Sequence, residues 1–237
     1  MKKAFTMIEL VFVLVVIGIL AAVMIPNMQS TKLREAAIQV VSHIRYTQHL
    51  AMVDDKFDSK DNDWYQERWR IRFKKDLVYS ILTPSGTTSN VWAYTIYSDN
   101  SHDGNPNLSE MAINPLNANQ YLSGGYNDTL HLDDEKSMKE MRLGTKYGIH
   151  EVSFSGGCRS DILYIYFDHL GRPFNSMNTT SPYELASTGW HKLLTSECKI
   201  SLCEGTCTGT SSDTEVVISI HPETGYTCIL DSSGECI

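Results

Sequence analysis

The sequence lacks an excess of basic residues, a catalytic motif and any cysteine before residue 158. Acidic residues number 28 and basic residues 20, so the net charge is −8. A net acidic surface repels phosphate backbones, and we therefore expect no nucleic-acid partner. No nucleophile elbow or zinc-protease motif occurs, and the histidines are scattered without metal-ligand spacing on a helix. We therefore predict no catalytic residues.

Cysteines are confined to the last third of the chain, and their even number indicates disulfide bonds formed in an oxidising compartment. Metal ligation is the alternative, but the spacing C-x4-C-x3-C fits no common zinc pattern. A Cys228–Cys236 bond would staple the C-terminal tail, a Cys203–Cys207 bond would close a small loop, and the connectivity is otherwise open. The disulfide candidates are Cys158, Cys198, Cys203, Cys207, Cys228 and Cys236.

The first 26 residues combine a short basic leader with a long apolar run that contains one acid, Glu9. The run from 5 to 25 is about as long as a membrane-spanning helix, and a carboxylate in hydrocarbon needs a cationic partner. A secretory signal cleaved near Ala21 and an ordinary membrane anchor both leave Glu9 unexplained. Cleavage before Phe5 would supply the cation as a new amino terminus, so we interpret the segment as an assembly device.

Beyond Pro26, apolar residues recur at spacings of three and four, which is typical of an amphipathic helix facing a core. No glycine interrupts this pattern before Asp55. We predict one helix from Phe5 to about Val53, loosened at Pro26 because proline removes a backbone hydrogen bond. The predicted buried face consists of Leu33, Ala37, Val40, Ile44, Thr47 and Ala51.

The chain beyond residue 55 contains aromatic and β-branched segments bounded by turn residues, which predict antiparallel strands. Val216–Leu230 encloses the turn His221–Gly225 and predicts a hairpin. With the long helix, this pattern gives an α+β fold. The predicted strands are Trp69–Phe73, Leu77–Thr83, Val91–Ser98, Ile149–Ser155, Asp161–Phe167, Glu215–His221 and Gly225–Leu230.

The string DNSHDGNPNLSE, from Asp99 to Glu110, has the spacing of a calcium loop. Oxygen-bearing side chains alternate along it, Gly104 allows a sharp turn, and the last carboxylate can bind through both oxygens. Pro106 stands where such loops have an apolar residue, and an acidic surface turn is the alternative. The candidate ligands for Ca²⁺ are Asp99, Ser101, Asp103, Asn105 and Glu110.

The string A-F-T-M-I-E-L, residues 4–10, followed by the apolar run, resembles the prepilin-type cleavage and methylation segment of type IV pilins and type II secretion pseudopilins. The resemblance implies that prepilin peptidase cuts between Ala4 and Phe5 and N-methylates Phe5. It also implies that Glu9 and Pro26 serve assembly, with Glu9 pairing with the amino terminus of a neighbouring subunit. The residue before the cut is usually glycine in this family, and here it is Ala4.

The resemblance implies a pilin-like α+β fold, in which a long N-terminal helix, transmembrane in its first half, packs on an antiparallel β-sheet domain. It implies a single-pass inner-membrane protein with a periplasmic globular domain, incorporated into a pilus or pseudopilus. Its partners would be prepilin peptidase, other pilin or pseudopilin subunits and an inner-membrane assembly platform. The expected regions are the leader 1–4, the transmembrane half-helix 5–25, the amphipathic half-helix 26–55 and the globular domain 56–237, with an insertion at 99–148.

The order of the long helix, WRIRF, FDHLGRPF and VVISIHPETGYTCIL is similar to that of H-subunit-type minor pseudopilins. We therefore expect a non-enzymatic structural subunit of a type II secretion pseudopilus or, as the second choice, of a type IV pilus. A DNA-uptake pilin fits the acidic charge poorly. The alternative from another class is a membrane-tethered periplasmic binding module or enzyme that uses the acidic insertion.

Overall fold

The computed structural model describes residues 7–78, 89–126, 129–175 and 192–237. The α-helices in these ranges are α1 (Met7–Val53) and α2 (Leu143–Tyr147), and short 3-10 helices lie at Trp64–Glu67, Leu108–Glu110 and Lys139–Met141. The strands are β1 (Arg70–Val78), β2 (Ser89–Tyr97), β3 (Ile113–Asn114), β4 (Asn117–Tyr121), β5 (Glu151–Gly156), β6 (Tyr164–Phe167), β7 (Pro173–Phe174), β8 (Cys198–Cys203), β9 (Glu215–Ile220) and β10 (Thr227–Leu230).

Two four-stranded antiparallel sheets form the framework on which the described domain is built. The first has the order β2-β1-β6-β7, and the second has the order β10-β9-β8-β5. In the first sheet, Ile71 lies opposite both Ile96 and Ile165, and in the second, Ile200 lies opposite both Phe154 and Ile218. These side chains are buried in one core, as expected of β-branched and aromatic residues on a pleated surface.

The C-terminal half of α1 packs against strands of both sheets. It contacts β1 and β6 of the first sheet and β8, β9 and β10 of the second. At the edge of this helix–sheet contact, Arg45 Nη2 donates to the carbonyl of Thr227 at 2.7 Å. Gln48 Nε2 donates to the carbonyls of Gly171 and Thr224, both at 2.8 Å. The predicted buried face is confirmed, since the structure buries all of its residues, namely Leu33, Ala37, Val40, Ile44, Thr47 and Ala51.

The predicted fold class is wrong, because the chain does not form a long helix that is transmembrane in its first half and packed on a sheet. Among the side chains of α1 that the structure describes, those packed on the sheets belong to its C-terminal half, and those of residues 7–20 are exposed. Beyond these, Lys32, Arg34 and Glu35 make the exposed side of α1 charged. Among the described residues, no helix combines the length and the apolar character needed to cross a membrane. The prediction of a single-pass inner-membrane protein is therefore also wrong.

The predicted C-terminal hairpin is confirmed. β9 and β10 pair in antiparallel fashion with Ile218 opposite Ile229. Its turn contains Gly225 at a φ of +66°, a left-handed conformation that glycine adopts without strain. The backbone N–H of Gly225 donates to the carbonyl of His221 at 3.1 Å. Of the predicted strand Leu77–Thr83, the first two residues continue β1, and the remainder lies outside the described residues.

The structure shows a strand that the sequence analysis missed, β8, which lies at the centre of the second sheet. The segment 99–148, predicted as an insertion, is also part of the fold. It contributes Leu122, Met141 and Leu143 to the main hydrophobic core. A surface appendage would leave such side chains exposed. This segment therefore forms part of the hydrophobic core and also contains the predicted calcium loop, Asp99 to Glu110.

Candidate functional site

The N-terminal part of α1, residues 7–20, presents apolar side chains on every side of the helix, and we call it the apolar segment. All of these residues are exposed, including Met7 at 86%, Phe12 at 69% and Ile19 at 61%. Monomeric proteins rarely expose contiguous apolar patches larger than a few hundred Å². The apolar segment therefore has the composition of a surface that is buried against a partner in the functional state of the protein.

The predicted processing and assembly residues are distributed along α1 and before it. Glu9 is an exposed residue in the first turn of α1, where a carboxylate interacts favourably with the helix dipole. Pro26 lies within α1, whose backbone is helical from Met7 to Val53. Ala4 and Phe5 lie outside the described residues, so cleavage between them stays a prediction.

A buried histidine lies where α1 meets β2. His43 Nδ1 is 2.8 Å from the hydroxyl of Tyr94, and His43 Nε2 is 3.2 Å from the side-chain nitrogen of Gln39. Burial lowers the pKa of His43 from 6.5 to about 4, against the opposing effect of the Glu140 carboxylate. Burial also raises the pKa of Tyr94 well above its ordinary value. Both groups are therefore neutral at pH 7 in the folded protein.

We expect His43 to make the folded protein less stable in mild acid. Between pH 6.5 and about 4 the unfolded chain takes up a proton that folded His43 rejects, so stability present above pH 6.5 is lost as the pH falls. The loss between pH 7 and pH 5 should be about 2 kcal/mol, measured by urea unfolding followed by tryptophan fluorescence. His43→Gln should remove this loss, whereas His49→Gln, at an exposed position, should keep it. Equal pH dependence in the wild type and His43→Gln would refute this expectation.

The predicted calcium loop is closed by its own hydrogen bonds. Glu110 accepts the backbone N–H of Ser101 at Oε1, at 2.7 Å, and that of Asn107 at Oε2, at 2.9 Å. Asp99 Oδ2 accepts the N–H of Gly104 at 3.0 Å and lies 3.3 Å from Arg70 Nη1. Both oxygens of the last predicted ligand are thus occupied, because Oε2 caps the 3-10 helix at Leu108–Glu110 and Oε1 holds the backbone of Ser101.

The remaining predicted ligands also have protein partners. Asp103 accepts the backbone N–H of Asn105 at 2.7 Å and the side-chain N–H of Asn107 at 3.2 Å. Asn105 Oδ1 accepts the hydroxyl proton of Tyr126 at 2.8 Å, and Ser101 Oγ accepts an N–H of Asn107 at 3.0 Å. A calcium ion would have to displace these donors, so the hydrogen bonds of the loop disfavour the calcium prediction, which otherwise stays untested.

The structure joins all the cysteines in disulfide bonds. Cys203–Cys207 and Cys228–Cys236 are the short pairs that the sequence suggested. The third pair, Cys158–Cys198, could not be derived from spacing. It joins the turn after β5 to the first residue of β8, which pairs with β5 in the second sheet. The cysteines are therefore structural and offer no thiolate for metal binding while the bonds are intact.

One group of possible ligands was missed by the sequence analysis. His102 Nε2 lies 3.3 Å from Glu67 Oε1 and 3.9 Å from Asp61 Oδ2. Asp61 and Glu67 belong to the connection between α1 and β1, whereas His102 belongs to the loop after β2. Only the pairing of β1 with β2 brings the two segments together, so no local spacing in the sequence could have indicated this group.

Comparisons with protein-family models, with curated proteins and with solved structures found no match to this chain. The resemblance to the prepilin-type segment therefore depends on residues 4–10 and the apolar run that follows.

Proposed function

We propose that this chain is a non-enzymatic structural subunit of a type II secretion pseudopilus or of a type IV pilus, assembled through α1. The observation that carries this proposal is the apolar segment, residues 7–20, which is exposed while the part of α1 from residue 31 to 53 is built into the domain. Prepilin peptidase would cut between Ala4 and Phe5 and methylate Phe5. Other pilin or pseudopilin subunits, brought together by an assembly platform, would then cover the segment.

The distribution of apolar residues favours a multi-subunit filament over a dimer. Covering a large aliphatic or aromatic side chain is worth about 1.5–3 kcal/mol. A helix that is hydrophobic on one stripe can be satisfied by one neighbour, but a helix that is hydrophobic all round is buried within a bundle. Val11, Phe12 and Ile17 are all exposed, and at about 100° per residue they point in three different directions around α1. Several neighbouring copies of the segment are needed to cover them.

Glu9 would set the register between subunits in such a bundle. The ammonium group created by cleavage before Phe5 would neutralise the Glu9 carboxylate of a neighbouring subunit. When one partner of a buried ion pair is removed, the charge left behind costs about 3–5 kcal/mol. Misaligned subunits would bear that cost, so the pair favours one stagger between adjacent helices.

The contacts of the C-terminal half of α1 support transmission of this order to the domain. Ile44 and Ala37 are completely buried, and Arg45 and Gln48 bind backbone carbonyls of the domain surface. The domain is thus fixed to the helix and would follow its position in a filament. The carboxylates of the loop from Asp99 to Glu110 are occupied within the loop, which disfavours a binding module built on them.

Cross-linking between subunits tests the proposal. Leu14→Cys places a thiol in the apolar segment, at a position that is 60% exposed, and Leu116→Cys places one on the β3–β4 turn, at 93% exposure. Because every native cysteine is in a disulfide, the added thiol is the only one. In cells with the peptidase and assembly machinery, we expect oxidation to give disulfide-linked dimers with Leu14→Cys and monomers with Leu116→Cys.

A second substitution separates specific assembly from aggregation. Adding Glu9→Leu to Leu14→Cys should abolish the cross-linked species, because the carboxylate needed for register is gone. Non-specific association of apolar helices would persist or increase with the same change. Cross-linking that survives Glu9→Leu, or that is no stronger at position 14 than at position 116, would contradict assembly through α1.

A further inference from the structure

A mixed group of nitrogen and oxygen ligands lies outside the predicted calcium loop, at the junction of two connections. Asp61, Glu67 and His102 each contribute one potential ligand atom, and these three atoms lie within 4.8 Å of one another. The side chains are 36%, 25% and 28% exposed, respectively. The group is thus half-buried, with one side accessible to a further ligand.

The imidazole of His102 is directed into the group. Its Nε2 atom is closed off from solvent and makes no hydrogen bond, although two carboxylates lie within 4 Å. His102 has a φ of +57° and lies in a loop that the buried Asp99 and Glu110 hold in place. A ring nitrogen without a hydrogen bond, facing two carboxylates, is suited to donate its lone pair to a cation.

The carboxylate of Asp61 and the backbone of Glu67 are also held by hydrogen bonds from outside the group. Asp61 Oδ1 accepts the backbone N–H of Asp63 at 2.8 Å, which leaves Oδ2 to face His102. The carbonyl of Glu67 accepts the hydroxyl proton of Ser98 at 2.6 Å, so the backbone of Glu67 is tied to the end of β2. Outer hydrogen bonds of this kind fix the direction of metal-ligating side chains.

The donor set indicates which class of cation would bind. Calcium and magnesium prefer oxygen ligands only, whereas imidazole nitrogen together with carboxylate oxygen suits zinc and neighbouring divalent transition metals. Ligands about 2.0–2.2 Å from zinc lie roughly 3.3 Å from one another in a tetrahedron. The distance between His102 Nε2 and Glu67 Oε1 is 3.3 Å, whereas Asp61 Oδ2 lies 3.9 Å from His102 Nε2 and would move closer when a cation binds.

We propose that Asp61, Glu67 and His102 bind a divalent cation of the zinc class and so join the loop after β2 to the connection between α1 and β1. Two other groups in the described part of the chain bring ligand atoms together, but each includes cysteines that are in disulfide bonds, Cys228–Cys236 beside His221 and Cys203–Cys207 beside Glu215. The proposal is independent of the filament function.

Calorimetric titration of the metal-free, disulfide-intact chain tests the site. We expect one Zn²⁺ to bind per chain, with Ca²⁺ and Mg²⁺ binding at least tenfold more weakly. His102→Asn should weaken Zn²⁺ binding by at least about 10–100-fold, the loss typical of perturbing a metal-ligand shell. Asparagine tolerates the left-handed backbone conformation at this position, so the variant should fold. Cobalt should give visible absorption bands with the wild type that His102→Asn lacks.

The matched control is His169→Asn, because His169 Nδ1 lies 4.0 Å from a single carboxylate, that of Asp55. Zn²⁺ affinity should be unchanged in this variant. Absence of Zn²⁺ binding in the wild type would overturn the proposal. Equal affinity in the wild type and His102→Asn, with both folded by circular dichroism, would also overturn it. Tighter binding of Ca²⁺ than of Zn²⁺ would point instead to the oxygen-rich loop.

Discussion

Substituting Asp99 by alanine is expected to lower the free energy of unfolding by about 3–5 kcal/mol. Asp99 Oδ2 lies 3.3 Å from Arg70 Nη1, and both side chains are only 1% exposed. Burial raises the pKa of Asp99, and Arg70 and the N–H of Gly104 oppose that shift. Removing the carboxylate leaves the guanidinium buried without its counter-charge and leaves the Gly104 N–H without an acceptor. Urea unfolding at pH 7 measures the change.

Two comparisons show whether the loss comes from the buried pair. Arg70→Met combined with Asp99→Ala should lose less than the sum of the single variants, because neither charge is then left alone in the core. Asp161→Asn, which breaks the exposed ion pair with Arg159, should leave the unfolding midpoint unchanged. A loss below about 1 kcal/mol for Asp99→Ala, or strict additivity in the double variant, would show that the pair is not coupled as described.

Removing the Cys158–Cys198 disulfide is expected to cost about 4 kcal/mol, the value that the chain-entropy relation gives for a sequence separation of 40. The bond holds the end of β5 beside the start of β8 at the centre of the second sheet. Without it, the unfolded chain regains the freedom of the intervening segment. Denaturant unfolding of Cys158→Ala combined with Cys198→Ala gives the measurement.

Cys203–Cys207 provides the internal comparison, because its sequence separation is only 4. The same relation gives about 2 kcal/mol for its removal, so Cys203→Ala combined with Cys207→Ala should be clearly the milder change. Equal losses, or a larger loss for the short loop, would mean that native-state contacts of the sulfurs outweigh the constraint on the unfolded chain.

The buried face of α1 was predictable because it depends on a local repeat. Leu33, Val40 and Ile44 recur with helical spacing, and any core placed against the helix has to meet that side. The β9–β10 hairpin was predictable for the same reason, since its turn residues and flanking strands are adjacent in sequence. β8 was missed because it is short and ends in a cysteine on either side, so that only Ile200 and Leu202 show the alternation of a strand.

Properties that depend on contacts between distant segments were not predictable. Asp61, Glu67 and His102 come together only through the register of β1 on β2. The membrane assignment failed for a related reason. A run of apolar residues shows that a helix has to be shielded from water. The run itself does not show whether lipid or protein shields it. In the structure the apolar segment is exposed, and the described helices do not meet the requirements of a membrane span.

The mass of the mature chain, isolated from cells in which it is assembled, tests the central claim most directly. Assembly through a processed α1 predicts a polypeptide that begins at Phe5, carries one methyl group on its amino terminus and contains Glu9 as its fifth residue. A chain that retains Met1, or one that begins near Ala22 after removal of the whole apolar segment, would contradict the account.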